Sequence, residues 1–234
     1  MSAPPGYVLY DGPSRLGDGD SIVAILTMKS ENRKTGNMPQ VWMLRKDRAP
    51  TTASLEGTDD AVCAQCSLRL YLARGNPKKK NCYVTLIHGP NQIWKAYHAG
   101  NYSNIWPYLV DDPVRIGSYG DPAAVPLSVW KAFTARCYRG YTMYTHQWRR
   151  FSGLRHYAMA AVDSAAEQHR AAQQGWRTFR IIQEEDTHPN NHIKEITCPA
   201  TPEAGHRTTC KKCRICDGKK GEYDRRKHIT VAAH

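Results

Sequence analysis

Apolar and polar positions follow two different rhythms along this chain. Up to residue 55, short apolar stretches at 7–10, 21–28 and 40–44 are separated by Gly, Asp, Asn and Pro, which predicts a small set of strands and hairpins. Residues 32–37, which include Gly36, are expected to form a loop between two of them. From Cys82 onward, β-branched or aromatic runs at 83–87, 114–119, 141–145, 157–162, 177–182 and 228–232 predict further strands. Amphipathic stretches lie between them. Residues 128–138 place Val129, Trp130, Phe133 and Cys137 at helical spacing, which makes Cys137 a core residue. Residues 164–174 open on Ser164, a good helix N-cap, run through Ala, Glu, Gln and Arg, and stop at Gly175.

Strand and helix therefore alternate several times. That order argues for an α/β protein with a parallel sheet, either open and doubly wound or barrel-like, whose functional site lies at the carboxyl ends of the strands. Three segments are expected: residues 1–62 as N-terminal strands and hairpins packed on the core, 63–197 as the βα core, and 198–234 as a cysteine-rich segment with the last strand. A chain of 234 residues can bury one sizeable core together with a small metal-stapled appendage.

Cysteine usage changes the picture most. No apolar run approaches the roughly 20 residues that cross a bilayer, and the first residues lack a basic start followed by an apolar stretch. A soluble, cytoplasmic protein without membrane partners is expected, and there disulfides are unusual, so thiols at ligand spacing read as metal ligands. Near the C-terminus, Cys198, Cys210, Cys213 and Cys216 form the pattern C-x11-C-x2-C-x2-C. The compact C-x2-C-x2-C part suits iron-sulfur ligation, although four cysteines of many spacings can also close around zinc. Cys63, Cys66 and Cys82 form C-x2-C-x15-C, one thiolate short of a closed site. The shortfall points either to a fourth ligand such as His88 with zinc, or to a cluster with one open iron. The alternative is that Cys82 packs as a small hydrophobe and the Cys63/Cys66 pair is incidental.

Polar residues at the predicted strand ends add a possible ligand site. Gly117, Tyr119, Gly120 and Asp121 precede Pro122 after the strand at 114–119, where glycines permit close backbone approach and Asp121 can accept from an ammonium group, though a plain turn explains them as well. Thr145 and His146 follow the next strand and Asp163 the one after, so in a parallel sheet they converge on one mouth.

Together these residues resemble the radical S-adenosylmethionine superfamily, over residues 63–234. The resemblance rests on the cysteine group near the first strand, on Tyr119-Gly120-Asp121-Pro122 where that family has a G-G-E-P-like segment, and on Asp163-Ser164 at the fourth-strand ending. Phage-encoded proteins with the same order of cysteine cluster, G-D-P, T-H-Q-W, V-D-S and C-terminal cysteines are similar too. The resemblance implies a partial (βα)6 barrel-like sheet and a 4Fe-4S cluster on Cys63, Cys66 and Cys82 that chelates S-adenosylmethionine, with Asp121 at its amino group. It further implies a second cluster on the four C-terminal cysteines. The chain departs from the family in its cysteine spacing, since the usual C-x3-C-x2-C is absent and Cys82 is distant.

Charge supplies the competing expectation. Lys and Arg number 33 against 21 Asp and Glu, a formal +12, with a run at Lys78, Lys79 and Lys80, a cluster at Arg149, Arg150 and Arg155, and eight basic against three acidic residues in 210–227. Such a surface attracts polyanions or simply keeps a protein soluble. The alternative function is accordingly a zinc-binding, basic nucleic-acid-binding protein built on a catalytically degenerate barrel.

Overall fold

Ile22, Val23, Ala24, Ile25 and Leu26 form an unbroken apolar run, which only a strand covered on both faces can use, and all five are fully buried. They lie in β2 (Ser21–Thr27), between β1 (Gly6–Pro13) and β3 (Gln40–Arg45), in a computed structural model that describes residues 4–73, 82, 84–182 and 193–232. Both pairings are antiparallel. The loop expected at 32–37 holds a 3-10 turn at Arg33–Thr35, capped by Asn32 and ended by Gly36.

Beyond β3 the direction changes. β4 (Val114–Tyr119), β5 (Tyr141–Thr145), β6 (Met159–Val162), β7 (Thr178–Ile182), β8 (Glu195–Thr197) and β9 (His228–Ala232) add in parallel, and the strand order is β1-β2-β3-β4-β5-β6-β7-β9-β8. The chain is thus an α/β protein with a nine-stranded mixed sheet, antiparallel hairpins first and parallel strands after. β3, expected among the N-terminal hairpins, is also the first parallel strand, pairing Gln40 with Arg115 and Val41 with Ile116. The sheet and the main apolar core both run without interruption across residues 62 and 63.

One expected strand is absent. Tyr83 lies outside the described residues, and of the rest of 83–87, Val84 and Thr85 are unpaired while Leu86 and Ile87 enter a turn. The physical reason is that β3 and β4 pair directly, leaving no slot between them. The crossover from β3 to β4 instead carries α1 (Pro50–Glu56), α2 (Asp60–Cys63), α3 (Leu70–Ala73) and α4 (Pro90–His98), with proline opening the first and the last. β4 is followed by α5 (Leu127–Thr134), which buries Trp130 and Phe133 one turn apart, the Trp130 indole donating to the Pro122 carbonyl at 2.8 Å. A 3-10 turn at Ser152–His156, rather than an α-helix, joins β5 to β6. α6 (Ala165–Gln173) starts where Ser164 accepts from the Glu167 amide, as its N-cap chemistry predicts. No helix among the described residues is long and apolar enough to cross a membrane.

Candidate functional site

The loop after α1 is drawn across the ends of three parallel strands. At its centre Arg69 donates to Asp59 Oδ1 at 2.8 Å and to the carbonyls of Ala64 (2.7 Å) and Gly57 (2.5 Å), and both charged side chains are buried. The Val62 carbonyl accepts from the Asp121 amide beyond β4 at 2.6 Å. Cys66 Sγ lies 3.9 Å from His146 Nε2 beyond β5, and Ser67 donates to Asp163 Oδ2 beyond β6 at 2.6 Å. Cys82 joins the group through its own amide, which donates to the Leu68 carbonyl at 2.6 Å.

These bonds place Cys63, Cys66 and Cys82 on one cavity of about 350 Å³, lined also by Leu70, Val84, Leu86 and Tyr119. His88, the imidazole expected nearby, is exposed and outside that lining; His146 takes the place beside Cys66. Burial pushes the Cys63 thiol well above its usual range and Cys82 up to about 11, with Asp59 and the neighbouring sulfurs adding to it. Burial opposes charging His146, but Cys66, Asp121 and Asp163 carry it up to about 9. The Tyr119 hydroxyl and Asp163 Oδ1 are both buried without a hydrogen-bond partner.

Asp121, expected to accept from an ammonium group, is bonded on both oxygens from within the protein. Its Oδ1 accepts from Thr145 Oγ1 (2.7 Å) and the Ala123 amide (2.9 Å), and its Oδ2 from the His146 amide (2.8 Å). The carboxylate thereby fastens the turn after β4 to the end of β5. Burial raises its pKa, with His146 acting the other way. Gly120, with φ at 81°, brings backbone against β3 instead of a ligand: a Cβ there would stand 2.7 Å from Met43 Cβ. Gly117, also at positive φ, packs near Pro122.

The four C-terminal cysteines meet beside β5 on the sheet. Cys198 follows β8 and extends its ladder, its amide donating to the Thr230 carbonyl at 2.8 Å. Cys210 and Cys213 bracket α7 (Cys210–Cys213), and the Cys216 carbonyl accepts from the Met143 amide of β5 at 2.9 Å. All four line a cavity of about 20 Å³ beside Thr142 and Tyr144. Burial raises the thiols of Cys198 and Cys210, and takes Cys216 up to about 12. Among the described residues, no group of three or more Cys, His, Asp and Glu side chains is placed to hold a metal ion. The donor chemistry of both sets nevertheless suits a thiophilic cation, which replaces the thiol protons that burial otherwise retains.

The basic surface is partly matched from within. Arg149 pairs with Glu167 at 2.6 Å, Lys211 with Asp112 at 2.8 Å and Lys220 with Asp217 at 2.9 Å. The Lys78 to Lys80 run lies outside the described residues. Fold and site together define an α/β protein with two cysteine-lined cavities on a mixed sheet. No family model, curated protein or solved structure matches the chain.

Proposed function

We propose that this chain is an iron-sulfur protein of the radical S-adenosylmethionine type, in which Cys63, Cys66 and Cys82 hold a 4Fe-4S cluster with one iron left open to the cavity. The observation that carries this reading is the gathering of three sulfurs on one roomy cavity where the parallel strands end, the position at which such sheets hold their chemistry. The shift of the first parallel strand to β3 supports it, because the cysteine loop then follows that strand. The fold proposed with it is a partial (βα)6 barrel-like sheet, supported by the unbroken run of parallel pairings from β3 through β9.

A cluster with an open iron supplies one-electron chemistry to a chelated sulfonium ligand such as S-adenosylmethionine. The protein's part is orientation and exclusion of water. Asp121 positions Thr145 and His146, and Tyr119 Oη, on the cavity lining, is a buried polar atom left to meet a bound molecule. Anaerobic reconstitution with iron and sulfide tests the reading. Brown protein is expected, with iron lost in a Cys63→Ser/Cys66→Ser variant and an absorption change when S-adenosylmethionine is added. Colourless protein, with iron content indifferent to those cysteines, would refute it.

The second reading, a zinc-bearing nucleic-acid-binding protein, draws on the exposed guanidinium of Arg149 held 4.1 Å over the Trp148 ring and on that of Arg150 near Phe151, both just past the end of β5. The Trp148 ring itself is buried, so the support lies in the exposed basic groups, which suit nucleic-acid phosphates. Zinc at the three-cysteine cavity, with affinity for labelled RNA that falls steeply between two salt concentrations, would put this reading first.

A further inference from the structure

Residues 198–227 are held in place with almost no core of their own. Of these thirty residues only Ala204, Cys216, Asp217 and Gly218 are buried, and none of them is a large aliphatic or aromatic side chain. Ordering thirty residues of backbone costs far more than the burial of so few apolar groups returns. Arg177 helps at one end, donating to the carbonyls of Ile215 (2.6 Å), Asp217 (2.9 Å) and Lys227 (3.0 Å). Short segments with so little apolar burial are stapled by disulfides or metals, and the cysteines here are free thiols.

The four sulfur-bearing residues arrive from separate places. Cys198 is attached to the β8–β9 edge, Cys216 to β5, and Cys210 with Cys213 to a single helical turn closed by Arg214 in the left-handed region (φ 53°). Their cavity of about 20 Å³ has room for one water-sized atom, against about 350 Å³ at the three-cysteine site. Four thiolates around one small space is the donor set of a closed tetrahedral zinc site.

We propose that Cys198, Cys210, Cys213 and Cys216 bind a single zinc ion that fastens the C-terminal segment across the sheet, and that this centre is structural and independent of the three-cysteine site. Zinc and iron analysis of the full chain tests it, beside Cys210→Ser/Cys213→Ser and Cys63→Ser/Cys66→Ser variants and limited trypsin digestion mapped by mass spectrometry. The first variant is expected to lose zinc alone and to be cut within 198–227 about tenfold or more faster. The second is expected to keep its zinc and its protection. Should the first variant fail to fold, wild type stripped by a zinc chelator and then resupplied with zinc gives the same readout, protection lost and regained. Iron in place of zinc at these four cysteines, or digestion unchanged by stripping, overturns the proposal. Failure of iron binding at Cys63, Cys66 and Cys82 overturns the preceding section's reading and leaves this one standing.

Discussion

Replacing Arg69 with alanine perturbs the cysteine loop at its most heavily bonded point. The guanidinium is 6% exposed and its partner Asp59 3% exposed, so the variant leaves a carboxylate buried with no cation beside it. Breaking a buried pair in this way costs about 3–5 kcal/mol, far more than the loss of a surface pair. The carbonyls of Ala64 and Gly57 lose a donor at the same time. Burial already holds the Asp59 pKa above the ordinary carboxylate range even with Arg69 present. In the variant the folded state therefore takes up a proton more readily than the unfolded one, and the deficit narrows as pH falls toward the raised value.

Urea unfolding followed by circular dichroism at neutral and mildly acidic pH measures the deficit, and alkylation rates of Cys63 and Cys66 report whether the loop has loosened. An Asp59→Asn/Arg69→Met double variant, which removes both charges, is expected to recover part of the loss. Stability within about 1 kcal/mol of wild type, with unchanged alkylation, would refute the argument that this pair holds the loop.

Three further outcomes follow from the same geometry. Gly120→Ala combines a positive φ with a Cβ 2.7 Å from Met43 Cβ, so a loss of about 1–3 kcal/mol by urea unfolding is expected, where an ordinary surface glycine would show little. Ser164→Ala removes the cap that accepts from the Glu167 amide and should cost about 1 kcal/mol, with Ser164→Thr largely retaining the stability. Asp224 is held below the usual carboxylate range first by Arg226, so its contribution is present at neutral pH and fades as pH falls through that depressed value; Asp224→Asn should be less stable than wild type at pH 7 and converge with it in strong acid.

Periodicity revealed the regular part of this fold and little of the crossover. The runs at 21–28 and 114–119 are readable because burial on both faces, or on alternate faces, leaves its mark residue by residue. β8 carries no such mark: it is three residues long, half exposed, and exists because β9 offers it an edge. The apolar residues Val84 and Leu86 read as a strand but serve the lining of a cavity, and no local rule separates those uses. At the site, Cys63, Cys66 and Cys82, grouped by their spacing, line one cavity. His146 was readable only as a strand-end residue, because its approach to Cys66 depends on a loop residue 80 positions earlier in sequence. The internal partners of Asp121 were hidden for a similar reason: an acceptor at a turn looks the same whether ligand or protein supplies the donors.

The two cysteine groups stand in opposite relation to the sheet. Around the first, Asp121, His146 and Asp163 project from strand ends that are themselves fixed by a continuous core, and the Asp59–Arg69 pair holds the loop from beneath. The cavity therefore exists before anything enters it, as preorganised sites require. Around the second, the segment has four buried residues in thirty and is held by backbone bonds, by Arg177 and by the pairs of Arg226 with Asp217 and Asp224. On the proposed zinc centre, a reagent that removes thiophilic metal should leave the first cavity's walls intact while loosening residues 198–227, because there the protein shapes the first site and the ion would fasten the second.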